Sequence, residues 1–228
     1  SALVRLRGRH VAIWFATLVL LFGWHHRLYS AGFAETGIAE HVLLLTELWN
    51  SLFGATMLTT AAVLFESRRS EGLQLQPGHW IVLIEAAVVV LGILAASLSI
   101  YWLVPWFLFA AFVIAARANV GLWRWAFIAL AAMPILEATR GLLDAWLFRI
   151  LTPPVPAGES LPPDRTWMAS AFLHTLFRAI PPLLMVIAAF RERWRSSRDW
   201  AHWLGVGTCV LRLATLLQGL IGLHQLTN

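Results

Sequence analysis

The sequence contains no lysine, and all 17 of its basic residues are arginine. Without a lysine amine no Schiff base can form, so a covalently bound retinal or pyridoxal cofactor is excluded. A nucleotide-binding P-loop is excluded too, because its lysine contacts the phosphates. The single cysteine, Cys209, allows neither an intrachain disulfide nor a zinc site built from several cysteines.

Charged residues of either sign are also scarce. They make up 13% of the chain, against about 25% in an average soluble domain, whereas hydrophobic residues make up 59%. This balance predicts an integral membrane protein, which we expect in a bacterial cytoplasmic membrane. No signal-peptide cleavage site follows the first apolar run, so we expect that run to stay as a helix. The high isoelectric point reflects arginines that flank helices, so the lipid bilayer, rather than nucleic acid, is the expected partner.

The apolar runs predict an all-α, polytopic membrane bundle of seven transmembrane helices, forming a single domain over residues 1–228. One apolar block, residues 79–118, would be about 60 Å long as a single helix, twice the hydrocarbon thickness, so it must fold back. Tyr101, Trp102 and Pro105 favour a turn between residues 99 and 105. The expected helices are therefore 10–29, 38–66, 80–100, 105–118, 123–151, 165–190 and 200–225.

The arginines at the helix ends predict the orientation of the bundle. Eleven of them fall on alternate connections and only three on the others, which by the positive-inside rule makes the N-terminus cytoplasmic and the C-terminus external. The eleven are Arg5, Arg7, Arg9, Arg68, Arg69, Arg117, Arg124, Arg191, Arg193, Arg195 and Arg198; the three are Arg27, Arg149 and Arg165.

Helix five carries Glu137, Arg140 and Asp144 within its apolar run. Their spacing, i, i+3 and i+7, puts them on one face of the helix. A charge at bilayer depth costs about 2.5–3.5 kcal/mol on insertion scales, so this face must meet protein or water rather than lipid.

Further polar groups on helices two, six and seven complete a predicted buried site. Because the intramembrane acids and arginines are nearly equal in number, we expect Arg140, Arg178 and Arg212 to pair with acids drawn from Glu47, Glu137 and Asp144. Guanidinium groups also recognise carboxylate and phosphate, so the site suits a small anionic solute. The predicted ligand- or ion-binding residues are Glu47, Asn50, Glu137, Arg140, Asp144, His174, Arg178 and Arg212.

The leading functional hypothesis is transport or binding of a small solute, which could be anionic, or of protons, since intramembrane ionisable groups are typical of such pathways. No nucleophile lies at motif spacing from a base, and there is no glycine-rich phosphate loop, which disfavours an enzyme. Three alternatives remain open. The charged groups could simply hold helices together. The protein could be an accessory or redox subunit of a larger membrane complex, binding haem, quinone or pigment. It could also be a membrane-embedded, metal-dependent enzyme.

The histidines form two layers. Four on the outer side are candidate ligands for haem b or a metal: His25, His41, His174 and His224. On the cytoplasmic side, His10, His79 and His202 lie at predicted helix ends, where histidine commonly caps a helix.

The topology can be tested with reporter fusions at both ends of the chain. We expect the N-terminal reporter to be active in the cytoplasm and the C-terminal reporter outside it, because of the uneven arginine distribution. Two termini on the same side would rule out seven spans.

Overall fold

The computed structural model describes residues 6–32, 40–138, 164–192 and 198–225, and these are helical, with no strand among them. The helices are α1 (Gly8–Gly32), α2 (Glu40–Glu71), α3 (Pro77–Leu98), α4 (Leu103–Ala118), α5 (Gly121–Ala138), α6 (Asp164–Glu192) and α7 (Trp200–Gln225). The predicted all-α class is confirmed for these residues.

Five helices are long and apolar enough to cross a membrane, which supports an integral membrane protein. The five stretches are Gly8–Leu28, His41–Glu71, Pro77–Leu98, Ala171–Glu192 and Trp200–Gly219. Helix α4 is shorter, with 16 residues, and the described part of α5 has 18. The count of seven spans and the orientation of the termini remain predictions.

The helix limits depart from the expected ones where local chemistry favours a different end. Helix α2 continues five residues past position 66 and stops before Gly72, whose φ of 64° is the left-handed conformation that ends many helices. Helix α3 ends at Leu98, and Ser99, with φ 56°, opens the turn to α4. Helix α6 runs unbroken through Pro181 and Pro182.

The residues group into two compact units, described separately here. Unit 1 comprises residues 1–104 and 198–205, which hold α1, α2, α3 and the first turns of α7. Helix α2 packs against both α1 and α3. The core of unit 1 is formed by buried side chains of α2, α3, α7 and the segment between α2 and α3. It consists of Met57, Ala61, Val63, Leu64, Leu73, Val82, Ala86 and Ala201.

A buried hydrogen-bonded network joins the first turns of α3 and α7 in unit 1. The Nδ1 atom of His79 accepts the backbone N–H of Gln76 at 3.1 Å, so Nε2 carries the ring proton and donates to Asp199 Oδ1 at 2.8 Å. The same carboxylate oxygen accepts the backbone N–H of His202 at 3.0 Å, and His202 Nδ1 accepts that of Gly78 at 3.0 Å. Side chains at the starts of α3 and α7 therefore accept hydrogen bonds from backbone N–H groups that have no partner within either helix.

Asp199 remains charged within this network. Burial raises the pKa of this carboxyl, but the hydrogen bonds from His79 and from the backbone N–H of His202 lower it by more. The net result is a pKa below the usual value for aspartate.

Two glycines allow α3 and α7 to approach this closely. A Cβ atom on Gly78 would overlap the carbonyl oxygen of His202, and one on Gly205 would overlap the carbonyl oxygen of Gly78. Both obstacles are backbone atoms, which cannot rotate away.

Unit 2 comprises residues 105–197 and 206–228, and α5 packs against α6 within it. Trp123, at the start of α5, is buried and donates its indole N–H to Glu192, at the end of α6, at 2.9 Å. Fourteen residues further into each helix, Glu137 contacts Arg178. The two contacts together show that α5 and α6 run antiparallel. The thiol of Cys209 on α7 lies 3.4 Å from the sulfur of Met185 on α6.

Replacing Gly78 by alanine should lower the stability of the protein by about 1–3 kcal/mol, the usual cost of overpacking, because two helix backbones would have to separate. Gly207→Ala is the matched control, since a Cβ there meets nothing within 4 Å. The control should be neutral or slightly stabilising, as alanine favours helix more than glycine does. Thermal unfolding in detergent measures both, and equal midpoints for the two variants would contradict the close approach.

Candidate functional site

The ion pair between Glu137 of α5 and Arg178 of α6 is the centre of the candidate site. Both Nε, at 2.6 Å, and Nη2 of the guanidinium donate to the same carboxylate oxygen, Glu137 Oε1. The side chains are only partly covered within the chain, with 38% of Glu137 and 46% of Arg178 exposed.

His174 lies one turn before Arg178 on α6 and is 8% exposed. Its Nε2 atom is buried and finds no hydrogen-bond partner among the residues that the structure describes. Buried polar atoms without a partner call for an explanation, and Asp199 Oδ2 is another among the described residues. His174 shares a pocket with the ion pair and with Met133, Leu136 and Phe177, and the pocket has no room for a water molecule.

The ion pair lies far along both helices from their other polar contact. Glu137 and Arg178 are each fourteen residues from the Trp123–Glu192 contact, about 21 Å of helix, so with that contact at a membrane surface the pair would lie within a hydrocarbon layer of about 30 Å. A partly exposed ion pair at that depth would be costly against lipid. Its exposed side must therefore meet water or another polar surface.

Prolines flank the pair on both helices. Pro134 precedes Glu137 by about one turn, and Pro181 and Pro182 follow Arg178 by about one turn. A proline has no N–H for the carbonyl four residues earlier, so each site weakens its helix. Such positions are where membrane helices bend.

Glu47, predicted to pair with an arginine, has a different partner. It is 2% exposed in unit 1, and its carboxylate accepts His26 Nδ1 at 3.1 Å. Close by, the Ser51 hydroxyl donates to the Glu47 carbonyl at 2.6 Å, so it must accept from His25 Nδ1, at 2.9 Å. Asn50 is half-buried on the same helix, in unit 1.

The structure therefore brings together three of the eight predicted site residues, namely Glu137, His174 and Arg178. Arg212 is exposed on the part of α7 that belongs to unit 2. Arg140 and Asp144 lie outside the described residues.

The proposed haem or metal ligands are not resolved into one site. His25 bonds to Ser51 in unit 1, His174 belongs to unit 2, and His41 is exposed at the start of α2. The side chain of His224 lies outside the described part of the chain. Within residues 6–32, 40–138, 164–192 and 198–225, no three His, Cys, Asp or Glu side chains group as a metal site. Haem b binding stays a prediction, to be tested by a visible absorption spectrum.

Sequence reasoning missed several polar pairs whose signal is a histidine near a helix start. His10 and His79 each occupy the third position of a helix and accept the N–H of the residue three before, Arg7 and Gln76 respectively. The free ring nitrogen then meets a carboxylate, Glu66 at 3.1 Å for His10. Arg7 and Arg9 contact the same Glu66 carboxylate.

Comparison with protein-family models, with curated proteins and with solved structures finds no match to this chain. The arguments about its function therefore rest on its own residues.

The Glu137–Arg178 pair can be tested with a double-mutant cycle on the thermal unfolding midpoint. Glu137→Gln or Arg178→Gln alone should destabilise the protein, because each leaves the other charge without its partner. The loss should exceed the ~0–1 kcal/mol of a surface pair and fall below the ~3–5 kcal/mol of a fully buried one.

The double variant should recover most of that loss. Arg191→Gln, at the exposed end of the same helix, is the control and should leave the midpoint unchanged. Additive losses in the double variant would mean that the two side chains do not interact.

Proposed function

We propose that this protein transports a small anion together with a proton across the membrane, using Glu137, His174 and Arg178 as its site. The observation that carries the proposal is a partly exposed ion pair between two apolar helices, beside a buried histidine nitrogen that has no hydrogen-bond partner among the described residues. An ion pair that only held helices together would have no need of an exposed side or of that histidine.

The charges of the pair explain why the anion and the proton would move together. In the closed site, Arg178 neutralises the Glu137 carboxylate. An anion can bind the guanidinium in bidentate fashion only if this carboxylate gives up its place. If Glu137 takes a proton as the anion binds, the site stays neutral, which avoids an uncompensated charge at low dielectric.

His174 would deliver the proton. An imidazole nitrogen can take up and release a proton, and Nε2 of His174 lies in the pocket with no hydrogen-bond partner among the described residues. Here His174 acts as a proton carrier, and Arg178 is the residue that binds the anion.

The site must open for the anion to enter, because the pocket is too tight for water. Pro134, Pro181 and Pro182 supply flexible points next to both charged residues. Both helices run unbroken through these prolines, and a proline within a helix is where membrane helices bend. Bending at these prolines would separate α5 from α6 around the ion pair.

Proteoliposomes with a pH-sensitive dye inside can test this proposal. Gradients of chloride, nitrate, phosphate and acetate are applied in turn, and proton movement is followed together with uptake of the labelled anion. Wild-type protein should move protons only when one of these anions is present. A gradient of that anion alone should drive both the uptake of the anion and the movement of protons.

Two variants separate the roles of the pair. Arg178→Gln should abolish both fluxes, because the anion loses its binding group. Glu137→Gln mimics the protonated state, so it should still bind the anion but carry no proton with it. Arg191→Gln is the matched control and should behave as wild type.

The proposal fails if wild-type vesicles show no flux above empty vesicles with any of the four anions. It fails equally if the Glu137→Gln, Arg178→Gln double variant is fully active. That second outcome would favour a structural subunit whose charges serve only to hold helices together.

A further inference from the structure

A groove of about 370 Å³ lies along α4 and α5, on the side of α5 away from the ion pair. This volume falls within the usual range of ligand sites, about 300–1,000 Å³. Its walls are almost wholly apolar except at one end. The lining residues are Phe109, Val113, Ala116 and Arg117 of α4, and Arg124, Ile128, Ala131, Ala132 and Ile135 of α5.

The polar end carries two arginines. Arg117 lies in the last turn of α4 and Arg124 in the first turn of α5, and both are exposed. The connection between them is short, with Asn119 capping α4 through a 2.7 Å bond to the Ala115 carbonyl and Gly121 in a left-handed conformation. This tight turn keeps both guanidinium groups at one end of the groove.

The length of the groove matches one leaflet of a bilayer. From Arg124 to Ile135 it follows eleven residues of α5, about 16 Å, which is half of a hydrocarbon layer of about 30 Å. A cationic mouth at the membrane surface and an apolar channel one leaflet deep complement an anionic headgroup with its acyl chain. Basic pockets between helices bind anionic lipid headgroups for the same reason.

We propose that the α4–α5 groove is a binding site for an anionic phospholipid of the leaflet on the arginine-rich side. Arg117 and Arg124 bind the headgroup phosphate, and one acyl chain lies along Ile128, Ala132 and Ile135. The site is separate from the ion pair, because Glu137 belongs to the opposite face of α5. The proposal does not depend on transport.

Native mass spectrometry of the detergent-solubilised, full-length protein can measure this binding. The protein is titrated with phosphatidylglycerol and with phosphatidylcholine that has the same acyl chains. Wild-type protein should retain phosphatidylglycerol at least about tenfold more tightly, since each arginine near a lipid surface contributes several-fold to the attraction of anionic lipid.

Two variants test the two ends of the groove. The double change Arg117→Gln, Arg124→Gln should reduce phosphatidylglycerol binding to the level of phosphatidylcholine. Ala132→Phe keeps both arginines but fills the channel at an exposed position, so it should weaken the binding of both lipids. Arg68→Gln with Arg69→Gln is the matched control, because these exposed arginines also lie in the last turn of a helix but do not line the α4–α5 groove, and it should bind as wild type.

Three results would overturn the proposal. Equal retention of the two lipids by the wild type would remove the headgroup preference. An equal loss in the Arg68, Arg69 control would show general attraction to a basic surface. Competition by millimolar inorganic phosphate, with Ala132→Phe unaffected, would show a simple anion site with no place for the acyl chain. A thermal midpoint near that of the wild type confirms that each variant is folded.

Discussion

The structure depends on one constraint, which is the free-energy cost of leaving a charge or an unbonded backbone group in an apolar environment. Glu47 and Asp199, which are buried, and Glu137, which is partly exposed, meet this constraint through a nearby basic side chain. Glu47 is met by His26, Asp199 by His79, and Glu137 by Arg178. These contacts fix which helix turns can lie against each other, so the polar groups determine the packing of helices whose apolar surfaces alone would allow many arrangements.

The same constraint distinguishes the two kinds of polar contact in this protein. In the Asp199 network, carboxylate oxygen Oδ1 accepts two bonds, both histidines are fixed by backbone N–H groups, and Gly78 and Gly205 bring the two helices close together, while the buried Oδ2 atom has no partner among the described residues. The role of this network is to hold α3 against α7. The Glu137–Arg178 pair is partly exposed, flanked by prolines and adjacent to a buried nitrogen that has no partner among the described residues. Because the side chains of this pair are accessible, it is the contact for which we propose a function.

The sequence predicted the helices well because long apolar runs leave few alternatives in a membrane, and the turn after Leu98 followed from the length of the block that contains it. Glu137, His174 and Arg178, which the structure brings together, were among the predicted site residues because ionisable residues are conspicuous in such runs. The sequence could not predict which acid meets which base, since that depends on how helices pack. Glu47, for example, contacts His26, a partner that lies on another helix and that the spacing of residues in the sequence does not indicate. The histidine at the third position of α1, α3 and α7 was a local signal that could have been used.

The central claim is that anion binding at Arg178 is coupled to protonation of Glu137. Infrared difference spectroscopy on protein in lipid, perfused at constant pH with and without the anion that gives the largest flux, tests it most directly. The account predicts that binding of the anion removes a carboxylate band and produces a protonated-carboxyl band, and that Glu137→Gln abolishes both changes. Anion binding that leaves the Glu137 carboxylate band unaltered would contradict the account.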